Sequence, residues 1–308
     1  MFAEYILNFP YIYFDVVYTD TMPADKYSAV WLSHSSIADF KKCPRLYYLR
    51  NMYKDPKTKR KMQVVSPSLS LGMAVHDTLD QISGLPTATR FNVDLLERFE
   101  SVWQRYTGKK GGFQSPEVEF RYKERGEAMI RRVLNNAGPL RNKAVKLGQE
   151  LPFYFLSEEE NLILCGKVDW LEYLEATDSV HIIDFKSSKS EEDPESLQLP
   201  IYTLLVANTQ KRKTTKASYW YLEFSDDLQE KELPDLETSS EAVLKMGKQI
   251  SLARKLNKLE CKTGGCRYCE QMEKVLRGEA EYIGVDEKMG KDNYIFIETH
   301  MEDESIIL

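Results

Sequence analysis

Two neighbouring stretches decide the fold, LILCGKVDWLEYL (162–174) and VHIIDFKSS (180–188). Both are rich in β-branched and aromatic residues, and a polar turn, EATDS (175–179), separates them, so each reads as a strand. With LPFYFLS (151–157) and its own polar turn EEEN (158–161) ahead of them, they predict an antiparallel meander with its apolar residues inside. Asp169 falls near the middle of one predicted strand and Asp184 on the next. Residues two apart on a strand share a face, so Asp184 and Lys186 point the same way. A carboxylate among apolar neighbours is expensive unless it has a partner. Two readings fit. One is a divalent-metal site, because hard cations such as Mg²⁺ take carboxylate oxygens and phosphodiester hydrolysis needs a cation to offset charge. The other is a buried ion pair between Asp184 and Lys186.

Downstream, SLQLPIYTLLVA (196–207) predicts a helix over 195–209, and Gln198 and Tyr202, four apart, share one face of it. ASYWYLEFS (217–225) predicts a further strand, 237–258 a long amphipathic helix, and DNYIFIET (292–299) a last strand after a short helix. Upstream the chain is mainly helical. Stretches near 91–106 and 117–135 have helical spacing, with GKKGGFQSP (108–116) between them as a flexible loop. A helix from about Leu69 carries Val75, His76 and Leu79, and 54–68 reads as a basic loop. The helix from Ser33 to about Met52 is interrupted at Cys43-Pro44, where proline breaks the hydrogen-bond ladder. Residues 1–32 read as short strands and turns. The order of meander, helix and further strand fits an α/β or α+β core. One domain, 1–308, then comprises a helical part (1–149), a catalytic sheet and helix (150–225), and a C-terminal part (237–308) holding a helix, a cysteine cluster and the last strand.

Composition narrows the class. At 42% hydrophobic and 29% charged residues, the chain is an ordinary globular protein, and no apolar run approaches the roughly 20 residues that span a bilayer. The N-terminal segment carries Glu4 and Asp15 and no basic start, so it does not read as a signal peptide, and a cytoplasmic location is expected. The net charge of -6 is not that of a dedicated DNA-binding domain, although basic residues cluster at 54–61, 121–132 and 211–216. Each cluster reads first as a solvated face. Trp31, Trp103 and Tyr106 offer stacking surfaces for bases but fit a core equally well. No Gly-x-x-x-x-Gly-Lys-Ser/Thr loop is present, so ATP-driven unwinding would need a partner chain.

Taken in series, Ser33-x-Ser35-x-Ile37 through Cys43-Pro44, Gly72 to His76, Gly166 to Asp169, Ile183 to Lys186 and Gln198-x-x-x-Tyr202 resemble the PD-(D/E)XK nucleases of the RecB and AddB type, including related CRISPR-associated exonucleases. The resemblance implies a restriction-endonuclease-like core and a metal-dependent DNA nuclease, acting on single strands or duplex ends in repair, recombination or CRISPR adaptation. It implies that Asp169, Asp184 and the backbone carbonyl of Phe185 ligate Mg²⁺ or Mn²⁺, that His76 completes the site, and that Lys186 acts on the attacking water. Gln198 and Tyr202 would shape the site and touch the DNA backbone, and Glu150 stands where some relatives carry another acid. Partners implied are DNA and a helicase or CRISPR adaptation proteins. A second reading keeps the fold but makes the chain a catalytically silent DNA-binding or scaffolding subunit; the intact Asp169, Asp184 and Lys186 set argues against it.

Three of the five cysteines, Cys261, Cys266 and Cys269, lie within nine residues, a spacing that suggests metal ligation rather than disulfides. The resemblance adds Cys43 and implies a 4Fe–4S cluster clasping the two ends of the domain. The chain departs from the family's usual spacing: Val275 stands where a third cysteine is expected, and Cys261 comes earlier instead. Zinc accepts the same four thiolates, and ordinary reduced cysteines are the third reading. Cys165, in a predicted core strand, reads as a small buried hydrophobe.

Overall fold

Alternate residues of Ser179–Lys186 lean to opposite sides, and the structure, a computed structural model describing residues 25–297, builds a core on each side. The strands are β1 (Val30–Leu32), β2 (Lys61–Val64), β3 (Phe153–Ser157), β4 (Leu162–Cys165), β5 (Trp170–Leu174), β6 (Ser179–Lys186), β7 (Thr214–Tyr221), β8 (Gln229–Lys231), β9 (Glu281–Asp286) and β10 (Lys291–Ile295). The helices are α1 (His34–Lys42), α2 (Pro44–Tyr47), α3 (Pro67–Ser83), α4 (Leu95–Trp103), α5 (Pro116–Asn135), α6 (Gln198–Thr209), α7 (Leu236–Lys255) and α8 (Glu270–Leu276). Expectations for residues 1–24 and for the last strand beyond Ile297 lie outside the described residues.

The central sheet runs β5-β6-β7-β8, with β6 and β7 parallel and the outer pairs antiparallel. Val180 and Ile182 pack with Ala217, Tyr219 and the helices α6 and α7. Ile183 and Phe185 pack with Trp170, Trp220 and the α3–α4–α5 layer. This is a mixed α/β core with helices on both faces, as the sequence implies and as a restriction-endonuclease-like fold requires. Helix α6 is apolar nearly all round because it is covered on both sides, by the sheet and by α7. Gly247 lets α7 sit close to the sheet: a Cβ there would stand 2.6 Å from Leu32 Cδ1.

The meander is corrected. The run 162–174 breaks at Gly166–Asp169 into β4 and β5, which belong to different sheets. β4 pairs antiparallel with β3 and parallel with β1. The outer edge of β5 is taken by residues 143–145: Val145 N–H donates to Leu171 and Tyr173 N–H donates to Lys143. With that edge filled, β4 cannot lie beside β5. Asp169 therefore sits in the break at the start of β5, not in mid-strand.

Other differences share a cause, partners distant in sequence. The loop expected over 54–68 contains β2, because β10 pairs with it in parallel, Met62 opposite Asp292. Helix α3 starts earlier than expected, at Pro67, capped by the Ser66 hydroxyl, which accepts from Leu69 N–H. GKKGGFQSP is not a free loop: Phe113 is buried against Trp103, their rings 5.6 Å apart, and Ser70 Oγ donates to the Gly111 carbonyl. Strands β8 and β9 were not expected at all. The break at Cys43-Pro44 appears as read: α1 opens on a Ser33–Ser36 capping box, α2 starts at Pro44, and a π-helical turn, Tyr48–Met52, follows.

Candidate functional site

The acids and the amine meet at the C-terminal end of β6. Strand alternation puts Asp184 and Lys186 on the α6 face, and Lys186 Nζ lies 3.0 Å from Asp184 Oδ2. Gln198, in the first turn of α6, donates from Nε2 to Asp184 Oδ1 at 2.8 Å and to the Tyr202 hydroxyl at 3.2 Å. Its Oε1 accepts from Lys186 Nζ. Asp169 reaches the same place from the β4–β5 break. Its Oδ2 accepts from the Phe185 N–H at 3.0 Å, and its Oδ1 faces His76 Nδ1 at 3.1 Å. The N–H and C=O of a strand residue point to the same side, so the Phe185 carbonyl also faces the Asp169 side of β6, where the β5 ladder has ended. His76 comes from α3, on the opposite face of the sheet. Gly72, one turn earlier, permits that approach, since a Cβ there would press on Ser187 Oγ at 3.1 Å.

Asp169, Asp184, Lys186, Gln198, Tyr202, His76 and the Phe185 backbone are thus brought together. Glu150 is exposed and lines the same cavity of about 650 Å³ as His76 and Asp169, with no hydrogen bond to either among the described residues. Sequence reading missed Glu192 and Tyr219. Glu192 Oε2 lies 2.9 Å from Lys186 Nζ, and the ammonium sits 4.9 Å over the Tyr219 ring. No spacing rule marks Glu192, which comes from the irregular β6–α6 connection. Tyr219 was hidden among the aromatics of its strand.

The electrostatics leave the site short of positive charge. Burial, and then the charge of Asp169, pushes the Asp184 carboxyl up to about 7, against the pull of Lys186 and His76. Its Oδ2 is buried and faces the Lys186 ammonium at 3.0 Å. Burial opposes ionisation of Asp169 as well, but His76 and the Phe185 N–H outweigh it and hold that carboxyl low. Burial likewise works against charge on His76, yet Asp169 lifts its imidazole to about 9. For Lys186 the burial penalty is overcome by Asp184 and Glu192, and the ammonium is held above its usual range. Two adjacent carboxylates, one of them raised by its burial and by the other's charge, fit a hard divalent cation, which prefers oxygen ligands.

A second cluster lies away from the cavity. Cys43, at the α1–α2 junction, meets Cys261, Cys266 and Cys269, and the four sulfurs lie within 4.8 Å of one another. Cys266 and Cys269 sulfurs are 3.7 Å apart. Burial pushes the Cys269 thiol up to about 12, while hydrogen bonds from Thr263 bring half-buried Cys261 down to about 6. Four converging thiols suit a thiophilic metal or cluster. Cys165 is buried in β4 away from them, as read, and burial raises its thiol to about 11.

Part of the basic clusters is spent on ion pairs. Arg125 pairs with Glu223, Arg132 with Asp226, Lys123 with Glu100 and Arg212 with Asp178. Trp103 and Tyr106 are core residues, and Trp31 packs on Phe153. No helix among the described residues is long and apolar enough to cross a membrane. A search of curated proteins returns no match. The family model described as PD-(D/E)XK nuclease superfamily matches residues 31–273, a span that holds the β5–β6 acids, Lys186, the α6 glutamine and all four clustered cysteines. With that match and a mixed sheet that gathers two aspartates and a lysine at one strand end, the chain belongs to the PD-(D/E)XK nuclease superfamily.

Proposed function

We propose that the protein is a Mg²⁺- or Mn²⁺-dependent deoxyribonuclease of exonuclease type, acting on single-stranded DNA or duplex ends. The observation that carries this reading is the convergence of Asp169, Asp184 and Lys186 at one strand end, with the Asp184 carboxyl buried beside a second carboxylate. Asp169, Asp184, the Phe185 carbonyl and His76 would hold the cation, with Glu150 available at the rim of the cavity. A divalent ion bound there supplies charge neutralisation for the phosphodiester and eases deprotonation of water. Lys186 stays a cation between Asp184 and Glu192, so it donates hydrogen bonds and does not accept a proton. It orients the attacking water and offsets charge building on the phosphate. Gln198 fixes both partners at once, holding Asp184 with its amide nitrogen and Lys186 with its amide oxygen. Tyr202, buried in the core, supports Gln198 through its hydroxyl.

The family resemblance supports a 4Fe–4S cluster on Cys43, Cys261, Cys266 and Cys269. One observation favours zinc as a second reading: the 3.7 Å between the Cys266 and Cys269 sulfurs matches a tetrahedral shell with Zn–S of about 2.3 Å. Visible absorption near about 400 nm, with iron and zinc analysis of the purified protein, separates the two.

The test of the main reading is cleavage of labelled single-stranded DNA with Mg²⁺ or Mn²⁺. Cleavage that disappears in Lys186→Ala while DNA binding persists supports it. Binding without cleavage in either metal would sink it and leave a scaffolding subunit. A helicase or CRISPR adaptation partner, and a repair, recombination or adaptation setting, belong to the same proposal and rest on the resemblance alone.

A further inference from the structure

The β9–β10 hairpin (281–295) lies beyond the matched residues 31–273, and its tip reaches the mouth of the metal-site cavity. Lys288 and Met289, at the tip, line that cavity together with His76 and Asp169. Lys288 also lines a second cavity, of about 720 Å³, with Arg105, Tyr106 and Lys110. Leu69, Met73 and Lys288 border both cavities and so form the divide between them. The tip is a built turn. The Asp286 carboxylate accepts the N–H groups of Lys288 and Met289 at 3.0 and 2.9 Å, and Gly290 N–H donates to the Asp286 carbonyl at 2.7 Å. Lys109 fastens the base of the hairpin through Glu281, 2.8 Å away.

Lys288 Nζ is held over the divide by Asp77, the residue after His76, at 2.6 Å. Asp77 does not depend on it. Its other oxygen takes Arg105 at 3.1 Å and the Tyr106 hydroxyl at 3.3 Å. The Lys288 side chain remains 55% exposed, so its ammonium is free to take a second anion without stranding Asp77. Exposed or half-exposed apolar side chains, Leu69, Leu151 and Met289, stand beside this charge. An exposed ammonium on the divide between two cavities, with apolar side chains beside it, suits a single polynucleotide strand: phosphate contact on one side and cover for unstacked bases on the other.

We propose that the β9–β10 tip is a strand guide, in which Lys288 binds a backbone phosphate of single-stranded DNA next to the scissile one and the strand continues past Leu69 and Met73 into the Arg105–Lys110 cavity. This rests on the nuclease reading of the neighbouring site. It makes Lys288 a substrate-binding residue that sets affinity and strand choice.

The test is binding of a fluorescein-labelled single-stranded oligonucleotide, read by anisotropy in Ca²⁺ over a range of NaCl, so that no turnover is needed. Lys288→Ala is expected to raise Kd about tenfold and to shallow the salt dependence by about 0.7, the loss of one single-strand phosphate contact. Lys288→Arg keeps both, Lys248→Ala on α7 changes neither, and Kd for a blunt duplex does not respond to Lys288→Ala. An unmoved Kd and salt slope in Lys288→Ala, or an equal effect on duplex, overturns the guide. If the unaltered protein binds the strand with this Lys288 dependence but cuts nothing in Mg²⁺ or Mn²⁺, the nuclease reading fails and the strand contact stands. No binding by the unaltered protein overturns both.

Discussion

The carboxylate site and the cysteine cluster are built in opposite ways. At the first, nearly every group is already held by protein partners: Asp169 by His76 and Phe185, Asp184 by Gln198 and Lys186, Lys186 again by Glu192. Most of the holders are side chains rooted on strands and helices in the middle of the fold, with Glu192 on the β6–α6 connection. At the second, the thiols have mostly one another: Cys43 and Cys269 are buried at the starts of α2 and α8, while Cys261 and Cys266 flank a turn with Gly264 and Gly265 at positive φ. A preorganised site costs carboxylate burial without a cation and is ready to use one. A loose cluster of thiols relies on what it binds for its cohesion, as small metal-folded modules do. The two should therefore answer to substitution with different signs.

Asp184→Asn is the sharpest way to break that contrast. It is expected to lower cleavage about 10³-fold, the scale of losing a group that stabilises transition-state charge, while raising the Tm of the protein in chelator because a costly buried carboxylate is gone. Kinetics and melting on the same preparation check it; a lower Tm would show that the acid is stabilising and the contrast false. Cys269→Ser comes next. It should cost about 3 kcal/mol, roughly 6–12 °C in Tm, together with the bound iron or zinc. Cys165→Ala, its control, should leave metal content unchanged; equal metal loss in both variants would dissolve the cluster assignment. The smallest effect is expected at the edge of the active site. His76→Ala should reduce activity about 10–100-fold and raise the metal concentration needed for half-maximal rate, with Tm nearly unchanged, because a third of the imidazole is already in solvent. A loss as large as that of Asp184→Asn would move His76 from the rim to the centre of the site.

Legibility in the sequence followed the same division. Asp184 and Lys186 share a face by strand period alone, and Gln198 and Tyr202 share one by helix period, so those four were readable from spacing. Asp169 was readable as a residue but not as a position. The apolar run 162–174 carries no sign that residues 143–145 will claim the edge of β5 and force a break. Strand β2 was missed because its partner, β10, lies some 230 residues on, and a short basic segment has no strand signature without it. Glu192 was unreadable for a simpler reason: an irregular connection has no period. The hairpin tip that carries Lys288 is likewise visible only once β9 and β10 are paired.

That late pairing has a consequence for how the chain is made. Cys43 and β2 leave the ribosome long before Cys261 and β10, which lie 218 or more positions downstream. At about 5–20 residues per second, the amino-terminal half waits about 10–40 s with a thiol and a strand edge uncovered. The sheet bearing Asp184 can form during that interval, but the overhanging tip cannot. A nascent or prematurely terminated product would then carry Asp169, Asp184 and Lys186 without the Lys288 tip, so truncation near the carboxyl terminus should weaken strand binding as Lys288→Ala does and leave a product prone to pairing through its open β2 edge.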